Sequence, residues 1–156
     1  MDLRAIEVIE TEHPLEETMS LNHSRLTFRL SYLLAQYDDE FDIMPELELE
    51  LSTGRSKPDI AIFPNLQYNW EEDIIRFTQA PITAIEILSP TQAFDELTTK
   101  IRKTYFPAGV RSAWIVVPSI KTIHVFTTDR QVLTFKDSSL LDKTTNISLL
   151  MSEIFK

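Results

Sequence analysis

The sequence predicts a single domain of the α/β (α+β) class, in which helices cover a β-sheet. The segment from Ile82 to Leu88 is a nearly continuous apolar run, which is typical of a strand covered on both faces. A helical segment from about Gln92 to Tyr105 follows it, and a second apolar strand runs from Val110 to Val117. The length of 156 residues and the hydrophobic content of 43% fit one core, so we expect residues 1–156 to form one domain.

Upstream of these segments, an amphipathic helix is predicted from about Ser20 to Tyr37. Its apolar residues recur on one helical face, at Leu26, Leu30, Leu33, Leu34 and Tyr37. The segment Glu46–Leu51 alternates glutamate and leucine strictly, and Lys57–Pro64 contains a β-branched run bounded by prolines. We expect these two strands to pair as a hairpin. His23, near the start of the helix, is expected to be a core or capping residue and not a ligand.

Shorter elements complete the domain. Strands at Thr122–Thr127 and Gln131–Phe135 follow the second apolar strand and predict a three-stranded meander. The stretch Asn65–Gln79 is expected to be a loop, which serves as a lid or partner surface or is a variable insertion. The C-terminal sequence NISLLMSEIFK is expected to close the core as a short strand or helix. A short edge strand or arm is expected near the start of the chain, at Ile6, Val8 and Ile9.

Composition excludes several classes of site. The chain has no cysteine, which excludes disulfides, thiolate metal sites and a cysteine nucleophile, and its two glycines are too few for a glycine-rich phosphate loop. No apolar run is long enough to span a bilayer and no signal peptide is recognisable, so we expect a soluble, cytoplasmic protein without a membrane partner. The net charge of −9 argues against broad electrostatic binding to nucleic acid, although residues 97–128 hold five basic residues and no acid.

Glu86 stands out because it is an acid in the middle of an apolar strand. An ionised carboxylate buried without partners is very costly, so Glu86 is expected to be paired, protonated, metal-bound or directed into a cleft. Asp59 opens another predicted strand, and two carboxylates that converge at one sheet end suit Mg²⁺. Lys100, beside the apolar face of the following helix, is the lysine best placed to join them. A structural ion pair explains the same pattern equally well.

Four stretches of the chain carry a family resemblance. They are KPDIAIFP (Lys57–Pro64), AIEILSPTQ (Ala84–Gln92), Asp95 with Lys100 before Tyr105, and AGVRSAWIVVP (Ala108–Pro118). Together they resemble the Uma-type restriction endonuclease family of the PD-(D/E)XK nuclease superfamily, over most of the chain. The resemblance implies a restriction-endonuclease-like core, with a mixed β-sheet flanked by helices. It also implies that Asp59 and Glu86 are metal-binding acids.

The lysine of the site departs from the usual superfamily motif. There the lysine follows the second acid by two residues, but that position is Leu88 in this chain. The resemblance implies a lysine from the following helix, which fits Lys100. Family members often place this lysine four residues before the tyrosine, whereas Lys100 precedes Tyr105 by five, so Lys103 remains an alternative. Two further polar side chains near the helix start, expected to line the cleft or cap the helix, are Gln92 and Asp95.

The resemblance implies a Mg²⁺- or Mn²⁺-dependent endonuclease that hydrolyses phosphodiester bonds in DNA. Asp59, Glu86 and the backbone carbonyl of Ile87 would hold the ion. Lys100 would orient a water molecule and stabilise the negative charge that develops in the reaction. Two alternatives remain: a noncatalytic module that keeps the nuclease fold for dimerisation or DNA binding, and a structural protein in which Glu86 and Lys100 form only a buried salt bridge.

A homodimer is expected from the proposed reaction. Cutting a duplex with one active site per chain commonly uses two copies related by a two-fold axis. The candidate contact surfaces are the aromatic loop around Tyr68 and Trp70 and the meander strands from Ser112 to Phe135.

Overall fold

The computed structural model describes residues 19–156, which form a mixed six-stranded β-sheet with helices on both faces. This confirms the predicted α/β (α+β) class. The expected strand or arm at Ile6, Val8 and Ile9 lies outside the described residues. The strands are β1 (Phe41–Pro45), β2 (Leu49–Leu51), β3 (Gly54–Ser56), β4 (Ile60–Pro64), β5 (Thr83–Ile87), β6 (Ser112–Val117), β7 (Thr122–Thr127), β8 (Val132–Phe135), β9 (Ser139–Asp142) and β10 (Ile147–Leu150).

The α-helices of residues 19–156 are α1 (Leu21–Leu34), α2 (Phe94–Lys100) and α3 (Met151–Ile154). Helix α1 begins after Ser20, whose Oγ accepts a hydrogen bond from the backbone N–H of His23 at 3.2 Å. Short 3₁₀ turns lie at Ala35–Tyr37, Phe106–Ala108 and Pro118–Ile120. None of the helices in this part of the chain has the length and apolar character needed to cross a bilayer.

The sheet has the order β1-β4-β5-β6-β7-β8, and β5 and β6, which α2 connects, are its parallel pair. Strands β6, β7 and β8 form the expected antiparallel meander. The expected hairpin between Glu46–Leu51 and Lys57–Pro64 is wrong. Strand β2 pairs with β3 across a tight turn, where Gly54 adopts φ +141, and β4 lies between β1 and β5. The apolar β4 is buried on both faces, which requires an interior position in the sheet.

Two apolar clusters lie on opposite faces of the sheet. Helix α1, α3 and the β9–β10 hairpin cover one face, where Ile85 and Ile87 of β5 lie. Helix α2 and the β2–β3 hairpin cover the other, where Ala84 lies. Because side chains alternate along a strand, Glu86 points to the same face as Ala84, towards α2. Every residue of β5 is buried, as its apolar sequence predicts.

A buried aspartate joins the C-terminal hairpin to the sheet. Asp142 Oδ2 accepts hydrogen bonds from Ser112 Oγ at 2.6 Å and from Trp114 Nε1 at 2.8 Å. Its Oδ1 accepts one from the backbone N–H of Thr144 at 2.9 Å. Asp142 is fully buried, and these three hydrogen bonds offset the free-energy cost of burying its carboxyl group. The hairpin thereby closes the core on the α1 face.

Candidate active site

The sheet register brings Asp59 and Glu86 together at one end of β4 and β5. In the antiparallel pairing of β4 and β5, Ile60 is opposite Ile85. Continuing the same register by one residue places Asp59 opposite Glu86. Both side chains line a cleft of about 760 Å³ that residues of α1 and α2 border. The other titratable and amide side chains that line it are His23, Glu46, Lys57, Gln92, Glu96 and Lys100.

Glu86 is almost fully buried, with 4% of its surface exposed. Its Oε1 accepts hydrogen bonds from the Tyr105 hydroxyl at 2.5 Å and from Lys100 Nζ at 3.2 Å. Burial raises the pKa of the Glu86 carboxyl, and so does the nearby charge of Asp59, whereas Lys100 and Tyr105 lower it. The net shift of the pKa is upward. Such a perturbed carboxyl in a cleft is typical of functional sites.

A π-helical turn brings Lys100 and Tyr105 to the same carboxylate oxygen. Residues five apart in a regular α-helix point to different sides, because 3.6 residues complete a turn. Helix α2 continues as a π-helix over Ile101–Tyr105, and the backbone N–H of Phe106 bonds the carbonyl of Ile101. This wider turn accommodates the five-residue spacing. Burial and then the charge of Glu86 raise the pKa of Tyr105 well above its usual value, so its hydroxyl stays protonated and donates.

Asp59 is held from two sides. Its Oδ2 accepts a hydrogen bond from the backbone N–H of Ile87 at 2.6 Å, and its Oδ1 lies 3.0 Å from Nε2 of His23. The bond to Asp59 raises the pKa of the His23 imidazole, against the lowering effect of burial. His23 is 6% exposed, and its Nδ1 is buried without a hydrogen-bond partner among residues 19–156. His23 therefore belongs to this site as well as to the core.

The oxygen donors of the cleft fit a hard divalent cation. Each carboxylate oxygen of Asp59 accepts one hydrogen bond, and no residue in 19–156 donates to Oε2 of Glu86, so both side chains keep free lone pairs. Ile87, whose carbonyl is the third expected ligand, lines the same cleft. No three His, Cys, Asp or Glu side chains of the described part of the chain cluster as a metal site. Two carboxylates suit Mg²⁺, which keeps several of its waters.

The other residues predicted for the site differ in whether they line the cleft. Lys100 lines the cleft, whereas Lys103 is exposed and lies outside it. Gln92 lines the cleft as expected. The expectation for Asp95 is wrong on both counts: it is exposed and absent from the cleft lining, and the N-cap position of α2 is Ala93, without a side-chain cap. The helix begins at Phe94. The next acid along the chain, Glu96, lines the cleft instead of Asp95.

Sequence reasoning did not assign contacts with the two acids to His23 or Tyr105. His23 is 36 positions from Asp59, and a histidine three residues after a capping serine reads as part of the helix start. A hydrogen-bonding role for Tyr105 was only weakly indicated by the sequence, because a buried tyrosine hydroxyl at the end of an apolar helix face needs a partner. Glu86 was the acid most in need of a donor.

Comparisons with known proteins agree with this fold. A family model described as "Uma2: Putative restriction endonuclease" matches residues 5–152. A crystal structure of a putative nuclease belonging to DUF820, from Anabaena variabilis ATCC 29413, is similar, with a TM-score of 0.74 and 21% sequence identity over 87% of this chain and 81% of that chain. A comparison with curated proteins finds no match. Because the family match spans nearly the whole sequence, the chain belongs to the Uma2 family of putative restriction endonucleases.

Proposed function

We propose that the protein is a Mg²⁺- or Mn²⁺-dependent endonuclease that hydrolyses phosphodiester bonds in DNA. The observation that carries the proposal is the cleft shared by Asp59, Glu86 and Lys100, with the Lys100 ammonium 3.2 Å from the Glu86 carboxylate. Membership of the Uma2 family and the likeness to a nuclease structure support a nuclease-type function. A DNA substrate agrees with the cytoplasmic location expected from the sequence.

The roles of the side chains follow from their chemistry. Asp59, Glu86 and the Ile87 carbonyl would hold the cation, which when bound polarises the phosphate and lowers the pKa of a water molecule. His23 and the Ile87 N–H fix the orientation of the Asp59 carboxylate. Lys100 donates to oxygens that gain negative charge during hydrolysis, since an ammonium group is a hydrogen-bond donor without a lone pair.

The partner of this site is DNA, and we propose that two copies of the chain act together. Trp70 is 91% exposed and stacks on Tyr68, with 5.6 Å between ring centroids. The acids Glu71, Glu72 and Asp73 follow directly, and their charge disfavours contact with phosphates. This loop is therefore better suited to contact another protein chain than to contact DNA. Light scattering should give twice the 18.1 kDa mass of one chain, and a monomer at micromolar concentration would rule out the dimer.

Plasmid nicking tests the proposed activity. Wild-type protein should convert supercoiled DNA to the nicked form when Mg²⁺ or Mn²⁺ is added and should be inactive with a chelator. Asp59→Asn and Glu86→Gln should each abolish nicking, whereas Asp137→Asn, at an exposed acid outside the cleft, should not. A folded wild type that binds Mg²⁺ but nicks no DNA would favour the noncatalytic module. A wild type that binds no divalent cation would favour the structural salt bridge.

A further inference from the structure

We infer that Tyr105, held in turn by Ser56, is a positioning residue that keeps Oε1 of Glu86 turned towards α2 and leaves Oε2 for the cation. The inference rests on the proposed function, because it assigns a role to a contact of an expected metal ligand. Through Ser56, the β2–β3 hairpin, which lies outside the main sheet, then also helps to hold Glu86 in place.

The chain of contacts is continuous and buried. Tyr105 is fully buried, and its hydroxyl lies 2.5 Å from Glu86 Oε1 and 2.8 Å from Ser56 Oγ. A tyrosine hydroxyl has one proton and two lone pairs. Since the proton goes to the carboxylate, the hydroxyl accepts from Ser56, and both groups are satisfied. Ser56 is itself buried, so water cannot readily replace either contact.

The β2–β3 hairpin is fixed to the π-helical turn at a second point. Thr53 Oγ1 donates a hydrogen bond to the backbone carbonyl of Thr104 at 2.6 Å. Leu49 and Leu51 of β2 belong to the apolar cluster that contains Tyr105. The position of the Tyr105 hydroxyl is therefore set by packing and by hydrogen bonds from the hairpin, as expected for a residue that orients a ligand.

Lys100 alone cannot provide the same restraint. Its side chain is 33% exposed and reaches Glu86 through a flexible four-carbon stem, whereas the tyrosine ring is rigid and enclosed. Without the Tyr105 hydroxyl, the Glu86 carboxylate could rotate and turn Oε2 away from the cleft. Loss of such an outer contact typically lowers metal affinity by about 10- to 100-fold.

The test is Mn²⁺ affinity measured by calorimetry on the full chain. Tyr105→Phe should weaken binding by about 10- to 100-fold, and Ser56→Ala should weaken it less, because the bond from Tyr105 to Glu86 remains. Tyr37→Phe is the matched control, since it also removes a hydrogen-bonded hydroxyl, one that donates to the backbone carbonyl of Ser148 at 3.0 Å, but outside the cleft. Mn²⁺ affinity of this control should equal that of the wild type.

The outcomes are distinguishable. If Tyr105→Phe binds Mn²⁺ as tightly as the wild type, the inference is overturned while the proposed function stands. If the wild type binds no Mn²⁺, both fail. Should Tyr105→Phe unfold, Ser56→Ala decides the inference, and wild-type affinity in that variant would overturn it. High Mn²⁺ should restore nicking by Tyr105→Phe, because its defect lies in affinity, but should not restore nicking by Lys100→Ala.

Discussion

Replacing Lys100 with alanine separates a catalytic lysine from a structural one. At 3.2 Å and an effective dielectric constant of about 20, the Lys100 and Glu86 charges attract by about 5 kcal/mol before desolvation. Breaking a fully buried pair costs about 3–5 kcal/mol. Lys100 is one-third exposed, so water already screens its charge, and Glu86 keeps the Tyr105 hydroxyl. We therefore expect Lys100→Ala to lower the free energy of unfolding by about 1–3 kcal/mol.

The effect on activity should be much larger than this loss of stability. Removing one donor to transition-state charge costs about 10²- to 10³-fold in rate, so nicking should fall by that factor in Lys100→Ala. Mg²⁺ affinity should stay within a few-fold of wild type, because Lys100 is not a ligand. Lys103→Ala, on the exposed side of the same helix, is the control and should nick normally. Normal nicking by Lys100→Ala together with loss in Lys103→Ala would refute the assignment.

Three further predictions concern stability and the support of the acids. The raised pKa of Glu86 means that the folded protein binds its proton more tightly than the unfolded chain, so stability falls as pH rises from the unfolded to the folded pKa. The stability of metal-free Glu86→Gln relative to wild type should therefore increase from acidic pH to pH 8, and chemical denaturation that finds no such increase would contradict this. Asp142→Ala should lower the free energy of unfolding by about 3–5 kcal/mol, because the carboxylate accepts hydrogen bonds from two buried side chains and from the half-buried Thr144 N–H. A melting temperature near that of the wild type would disagree. His23→Ala removes the donor to Asp59 Oδ1 and should reduce Mn²⁺ affinity about tenfold by calorimetry, with unchanged affinity as the contrary result.

Local patterns in the sequence predict most of the large elements. The helix expected at Ser20–Tyr37 corresponds to α1 and its 3₁₀ extension, because one amphipathic face is sufficient to define it. Strand β1 has no such pattern, since FDIMP contains an acid and ends in proline, and it forms only by pairing with β4. The partner of Lys57–Pro64 was mispredicted for a related reason. Strand pairing depends on which faces are buried in the whole fold, and sequence adjacency does not specify it.

The acids of the candidate site are easier to predict than their partners. Glu86 is conspicuous because a charge interrupts an apolar strand, and Asp59 opens the neighbouring strand. The contact of His23 with Asp59 depends on where the start of α1 lies relative to β4 in the folded chain, which no local pattern encodes. The π-helical turn that joins Lys100 and Tyr105 to one oxygen likewise has no periodicity of its own in a five-residue segment.

A Mn²⁺-soaked crystal would locate the cation relative to Asp59 and Glu86. Anomalous scattering identifies the ion independently of activity. We expect one strong peak in the cleft, within metal-ligand distance of a carboxylate oxygen of Asp59 and of Oε2 of Glu86, and we expect this peak to be lost in Glu86→Gln. A peak elsewhere, or an empty cleft at a Mn²⁺ concentration that supports nicking, would contradict the assignment of these two acids as the metal site.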